Sequence, residues 1–78
     1  MDERSAQKEI LGSLVALGRA GGMVNVIAVL KATDYQESFE IANDMQNLDW
    51  IKIIYCSFNA NIINVELTLK GKQAFEES

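Results

Sequence analysis

WIKIIYCSFNANIINVEL, residues 50–67, contains two runs of β-forming residues separated by a polar break. Trp50–Phe58 is rich in Ile, Tyr and Trp, which favours a strand. Ile62–Leu67 alternates between its two sides, which is typical of a second strand. Asn59-Ala60-Asn61 supplies the polar residues of a tight turn between the two runs. Residues 50–67 therefore predict a β-hairpin.

The segment before the hairpin predicts an amphipathic helix over Tyr35–Leu48. Asp34 and Glu37 have the spacing of a capping box, so the helix is expected to begin after a break at Thr33-Asp34. At about 100° per residue the apolar and polar side chains fall on opposite halves of the helix. The apolar half consists of Tyr35, Ser38, Phe39, Ile41, Ala42, Met45 and Leu48. The polar half consists of Gln36, Glu37, Glu40, Asn43, Asp44 and Asn47.

Two more helices are predicted upstream, on either side of the glycine-rich joint Gly18–Gly22. Ser5–Leu17 repeats apolar residues at helical spacing, with Leu11 and Val15 widening the apolar stripe. That stripe favours the centre of the core, and its extra width is an alternative seam for a homodimer. Asn25 is the expected N-cap of a short buried helix, Val26–Ala32.

The β-branched residues of segment 23–32 leave a strand as the alternative to that short helix. Downstream of the hairpin, Thr68 is expected to cap a final short helix, Leu69–Glu77, whose apolar content is thin. The order of elements predicts one α+β domain over residues 1–78, with three helices, a two-stranded hairpin and a short C-terminal helix.

The composition excludes several kinds of functional site. The chain has 78 residues, no His, a single Cys and a net charge of −4. A zinc site built from His and Cys, an intrachain disulfide and a nucleophile activated by His are all excluded within one chain. No apolar run approaches the ~18 residues of a membrane helix. We expect a cytoplasmic, non-enzymatic protein without metal, cofactor or membrane contact.

Two features of the chain suggest chemistry but have simpler explanations. Glu37, Glu40 and Asp44 form a carboxylate cluster that could hold a divalent cation, although exposed helical carboxylates usually face water. Cys56 lies in an apolar strand and is expected to be a small core or half-buried residue rather than a reactive thiol.

The order of elements resembles the winged helix-turn-helix fold, and two short segments resemble regulators of the MarR and PadR type. LTLKGKQAFEE, residues 67–77, is similar to their L-T-x-x-G segment after the wing. NLDWIKI, residues 47–53, is similar to their exit from the recognition helix, with Asp49 in place of the usual Gly. Asp tolerates the left-handed conformation that this position requires. The resemblance implies that Tyr35–Leu48 is the recognition helix and Phe58–Asn61 the wing tip.

Charge opposes the use of that helix on DNA. Residues 32–51 carry five carboxylates and no Lys or Arg, whereas phosphate binding needs cations. The favoured hypothesis is therefore a non-catalytic module that binds a protein partner or a second copy of itself. Its candidate partner-binding face consists of Gln36, Glu37, Glu40, Asn43, Asp44, Asn47 and Phe58.

The alternative hypothesis is a DNA-binding transcriptional regulator. Gln36, Asn43 and Asn47 could read adenine edges in the major groove. Its candidate contacts to the duplex backbone are Lys31, Lys52, Lys70 and Lys72.

Overall fold

A computed structural model describes residues 2–18, 21–31 and 34–77 of the chain. These residues form an α+β fold of four helices and three strands. In chain order the elements are α1 (Glu3–Leu17), β1 (Met23–Asn25), α2 (Val26–Leu30), α3 (Tyr35–Asn47), β2 (Ile51–Ser57), β3 (Ile62–Leu67) and α4 (Leu69–Glu76). The helices, the hairpin and the C-terminal helix follow the predicted order, and the arrangement is compatible with a winged helix-turn-helix.

The sheet has three antiparallel strands in the described residues, in the order β1-β3-β2. The predicted two-stranded hairpin is present as β2 and β3, and the sheet has a third strand that the prediction did not include. The additional strand, β1, pairs with the free side of β3, with Val24 opposite Val65. Segment 23–32 contains a strand followed by a helix, which combines the two readings that the sequence left open. β1 is only three residues long, so it has no alternation that a sequence pattern could show.

Asn25 joins β1 to α2 and confirms the predicted N-cap. Its side-chain oxygen Oδ1 accepts a hydrogen bond from the Ile27 amide at 3.1 Å. The same oxygen accepts a second bond from the Ile63 amide of β3 at 3.0 Å. One side chain therefore caps the helix and extends the bonding between β1 and β3 by one residue.

The other helix boundaries follow from caps and left-handed residues. Asp34 Oδ1 accepts from the amides of Gln36 and Glu37, as the capping spacing predicted. Thr68 Oγ1 accepts from the Gly71 amide, and its hydroxyl donates to the Asp49 carbonyl. Asp49 has φ 63°, so it adopts the left-handed conformation that was expected at this position.

Helix α2 is shorter than the predicted Val26–Ala32. It ends at Leu30 because Lys31 has φ 52°, which a right-handed helix cannot continue. The predicted end at Ala32, the break at Thr33 and the middle of the Gly18–Gly22 joint (Arg19 and Ala20) lie outside the described residues.

The core lies between the helices and the inner face of the sheet. Of the two residues that widen the α1 stripe, Leu11 is 3% exposed and belongs to the core, whereas Val15 is half-buried. The Ser38 hydroxyl is also buried in the core. Among the described residues, it has no hydrogen-bond partner. The buried apolar side chains are Ala6, Ile10, Leu11, Leu14, Val26, Ile27, Leu30, Ile41, Ala42, Met45, Ile51, Ile63 and Val65.

Two apolar residues differ from their expected burial. Leu48 is 46% exposed because it lies beyond the last residue of α3 and no longer follows the buried side of that helix. Cys56 is exposed rather than core or half-buried. The ladder between β2 and β3 skips Ile54, and Cys56 pairs with Ile63 beyond that irregularity. Because β2 is an outer strand of the sheet, the Cys56 side chain remains exposed to solvent.

Candidate functional site

The polar half of α3 forms the predicted outward face. Gln36, Glu37, Glu40, Asp44 and Asn47 are exposed, whereas Asn43 is only half-buried rather than fully outward. Ile41, Ala42 and Met45 bury the opposite side of the helix in the core. Because that buried side fixes the rotation of α3, the carboxylates are held towards solvent.

A fourth carboxylate joins this face from α1. Glu3, Glu37, Glu40 and Asp44, together with Ile41, line a shallow pocket of about 190 Å³. We call these four carboxylates the acidic cluster. Sequence reasoning missed Glu3 because α1 and α3 meet only through tertiary packing, and no local spacing connects residue 3 to residue 44.

The carboxylates of the acidic cluster interact with one another. A hydrogen bond with Asp44 raises the pKa of Glu3 above its ordinary value of 4.5. Desolvation and the negative charges of Asp44 and Asp2 raise this pKa further. Negative charges close to a carboxyl disfavour its ionisation, which is why the neighbours of Glu3 raise its pKa. The acidic cluster is therefore a concentration of negative charge on the side of the domain where α1 meets α3.

Phe58 begins the hairpin turn and is 73% exposed. Its ring meets Tyr35, the first residue of α3, edge-on with centroids 5.3 Å apart. Tyr35 in turn stacks on Phe39, with centroids 6.2 Å apart. The structure thus brings Phe58 to Tyr35, on the half of α3 that was predicted to be apolar, and not to the carboxylates of the polar half.

The turn that carries Phe58 has a defined shape. The Ser57 hydroxyl accepts a hydrogen bond from the Ala60 amide at 3.2 Å, and Asn61 has φ 56°. Burial raises the pKa of the Tyr35 hydroxyl, and a hydrogen bond with Cys56 adds to the shift. The exposed Phe58 ring is therefore held by two features. Its backbone belongs to a hydrogen-bonded turn, and its ring contacts Tyr35.

Gln46 lies near the C-terminal end of α3 and reaches across to β2. Its Oε1 accepts a hydrogen bond from the Ile53 amide at 2.9 Å. The sequence pattern did not select Gln46, because nothing in helical periodicity shows that a side chain will meet the edge of a sheet.

The four lysines proposed as DNA contacts lie on or directly after three different elements. None of them lies on α3. Lys31 follows α2, Lys52 lies in β2, and Lys70 and Lys72 lie in the first turn of α4. All four are exposed. Lys52 is directly opposite Glu66 in the ladder, so part of its charge is compensated. None of the four lysines therefore belongs to α3 itself.

A second pocket, of about 420 Å³, lies away from the α3 face. It opens between the end of α1, the end of β3 and the start of α4. Apolar side chains and glycine backbone form most of its lining, and Lys72 adds a positive charge. The lining residues are Leu14, Val15, Gly18, Gly21, Gly22, Leu67, Thr68, Leu69 and Lys72. None of the predicted partner-binding residues lines it.

In residues 2–18, 21–31 and 34–77, no group of three or more Cys, Asp or Glu has the geometry of a metal site. Within the same ranges, no helix has both the length and the apolar character that a bilayer crossing requires. Comparison of the chain with known protein families, curated proteins and solved structures finds no match.

Proposed function

We propose that this protein is a non-catalytic winged-helix module that acts through protein–protein contacts. The α3 face and Phe58 form its docking surface, and the partner surface is basic. The observation that carries the proposal is the acidic cluster, because it lies on the helix that a DNA-binding winged helix would place among phosphates. Like charges facing each other in an interface are opposed by several kcal/mol.

Phe58 supplies the second part of the surface. A large exposed ring matches the aromatic anchors of interface hot spots, which become desolvated when a partner binds. Its contact with Tyr35 holds the ring in place before binding, which lowers the ordering cost of association.

A triple substitution tests the docking surface. The face variant combines Glu37→Gln, Glu40→Gln and Asp44→Gln. Its side chains at these positions stay polar, but the α3 face loses three negative charges. The matched control carries Glu9→Gln, Glu76→Gln and Glu77→Gln, which removes three exposed carboxylates elsewhere. Proteins captured from cell extract and quantified by mass spectrometry should include partners bound by wild type and control but lost from the face variant. Equal capture by all three proteins would contradict the proposal.

DNA binding is the second candidate function, supported by the four exposed lysines outside α3. It predicts an affinity for a mixed pool of duplexes that falls steeply between about 50 and 200 mM salt. Fluorescence anisotropy of labelled duplex measures this directly. Binding tighter than about 10⁻⁶ M at the higher salt would exceed ordinary non-specific affinity and would favour the regulator over the protein-binding module.

A further inference from the structure

We propose that the second pocket, between α1, β3 and α4, binds a small amphipathic ligand: an unbranched aliphatic chain that ends in a carboxylate. The pocket has a volume of about 420 Å³. This volume lies within the range of small-molecule sites in proteins, which is roughly 300–1,000 Å³. The inference goes beyond the proposed function, because no residue of the docking surface lines this pocket.

Aliphatic side chains from three elements form the apolar part of the pocket. Leu14 and Val15 lie in the last turn of α1. Leu67 ends β3, and Leu69 begins α4. Leu69 is 73% exposed, so a large apolar side chain is open to water at this site and gains from being covered. The described residues of the lining include no aromatic ring, so an aliphatic ligand fits better than one that needs stacking partners.

Glycines after α1 keep the pocket free of the protein's own side chains. Gly18 and Gly21 have φ angles of 65° and 77°, a conformation that favours glycine. A β-carbon built on either residue would meet no described atom within 4 Å. The residues that turn the chain after α1 therefore also leave room for a ligand.

The charge distribution around the pocket favours a negatively charged head group. Lys72 is exposed and lines the pocket, whereas no Asp or Glu belongs to the described lining. Within the described residues the Lys72 ammonium has no ion-pair partner. The carboxylates of the two flanking helices lie elsewhere: Glu3 and Glu9 precede Leu14 by more than one turn, and Glu76 ends α4. A ligand carboxylate would complete a charge-assisted hydrogen bond with Lys72.

The volume of the pocket sets the size of the ligand. An apolar cavity of about 150 Å³ holds benzene, which has six carbon atoms. By that measure the pocket of about 420 Å³ has room for at least twice as many non-hydrogen atoms. Decanoate has this size, and its flexible chain can follow an irregular lining.

The test titrates decanoate into the full chain at pH 7, below the concentration at which decanoate forms micelles. Carbon-13 methyl resonances of the four aliphatic lining residues report the site, and isothermal titration calorimetry gives the Kd. Decylammonium carries the same chain with the opposite charge, and acetate carries the same head group without the chain. We expect saturable shifts at Leu14, Val15, Leu67 and Leu69 with decanoate, and a Kd at least about tenfold higher for either control probe.

A pair of lysine variants tests the head-group contact. Lys72→Met keeps an apolar stem but removes the charge, and should weaken decanoate binding roughly tenfold. Lys70→Met is the matched control, because Lys70 is an exposed lysine of the same helix turn that does not line the pocket. It should leave the Kd unchanged. Equal losses in the two variants would overturn the site, since the affinity would then reflect general charge alone.

A pair of leucine variants tests the contact with the chain of the ligand. Leu69→Ser should weaken decanoate binding roughly fivefold, because the ligand loses an apolar wall. Leu48→Ser is the matched control, since Leu48 is also exposed but lies at the end of α3. An unchanged Kd in Leu69→Ser would contradict the proposed position of the chain.

The remaining outcomes separate this pocket from the docking surface. The face variant should bind decanoate as wild type does, because its three substitutions lie outside the pocket. Loss of decanoate binding in the face variant would overturn the pocket and leave the docking surface to its own capture experiment. Equal affinity for decanoate and decylammonium, or no saturable methyl shift at millimolar decanoate, would also overturn the pocket.

Discussion

The α-carbon of Gly71 lies so close to the Trp50 carbonyl that any side chain at Gly71 would overlap the carbonyl oxygen. The same carbonyl accepts a hydrogen bond from the Thr68 amide at 3.1 Å. The first turn of α4 therefore packs directly against the backbone of Trp50, just before β2. This contact requires a glycine at position 71.

Replacing Gly71 by Ala should destabilise the protein by about 2 kcal/mol, because the cost of overlap exceeds the gain in helix propensity of about 1 kcal/mol. Urea unfolding followed by Trp50 fluorescence measures the change. Gln73→Ala is the control, since Gln73 is exposed on the same helix. An unfolding midpoint of Gly71→Ala equal to that of the control would refute the close approach.

Asn25→Ala should cost about 3 kcal/mol, because two backbone amides, Ile27 and Ile63, lose their acceptor at once. Asn25→Asp keeps the oxygen acceptor and should recover most of the loss. Thermal unfolding by circular dichroism compares the two variants. If both lose the same stability, the shared oxygen is not what matters at this position.

Ser38→Ala should stabilise the fold by about 1 kcal/mol, since it removes a buried hydroxyl that lacks a hydrogen-bond partner in the described residues and adds helix propensity. Ser13→Ala, a half-buried serine of α1, serves as the comparison. A drop in the urea midpoint of Ser38→Ala would mean that the hydroxyl is paired in solution.

The acidic cluster predicts a pH-dependent stability. The folded-state pKa of Glu3 lies above its unfolded value, so the folded protein binds the proton more tightly and loses stability as pH rises through that pKa. Asp44→Asn removes the main cause. The variant should be more stable than wild type at pH 7, and the difference should disappear below pH 4.5, where Glu3 is protonated in both states.

Carbon-13 titration of the Glu3 carboxyl in the same variant provides the direct measurement, and its pKa should fall towards 4.5. Glu9→Gln makes the same change in charge on α1 without touching Asp44, and should leave the Glu3 pKa raised. If the pKa of Glu3 were the same in Asp44→Asn as in wild type, the two carboxyls would not be in contact.

Phe58→Ser should separate binding from stability. The ring is 73% exposed, so its loss should cost at most about 1 kcal/mol, the value of its contact with Tyr35. Partner capture should fall at least about tenfold, as expected for an anchor residue. Leu69→Ser is a matched control, since Leu69 is equally exposed, at 73%, but lies on α4. Equal capture by both variants would exclude Phe58 from the docking surface.

Much of the fold was predictable because its elements have strong local signals. The apolar repeat of α1, the two halves of α3 and the polar break at 59–61 each specify one element without reference to the others. The caps at Asn25, Asp34 and Thr68 were also predictable, since each needs only a short polar side chain before a helix.

The features that escaped prediction depend on contacts between different elements of the fold. β1 exists because β3 offers it a partner some forty residues later, as the bond from Ile63 to Asn25 shows. Glu3 joins the acidic cluster only through the packing of α1 on α3. Gln46 meets the Ile53 amide because the turn at Asp49 reverses the chain between them. Local periodicity contains no information about such meetings.

The central position of β3 has a consequence for how the protein is made. β1 and β2 are synthesised first, yet neither pairs with the other, and both bond only to the strand that follows them. Until Ile62–Leu67 has emerged from the ribosome, the nascent chain has two strand segments and no sheet. A chain that ended before residue 62 would therefore contain both outer strands without the strand that pairs with them.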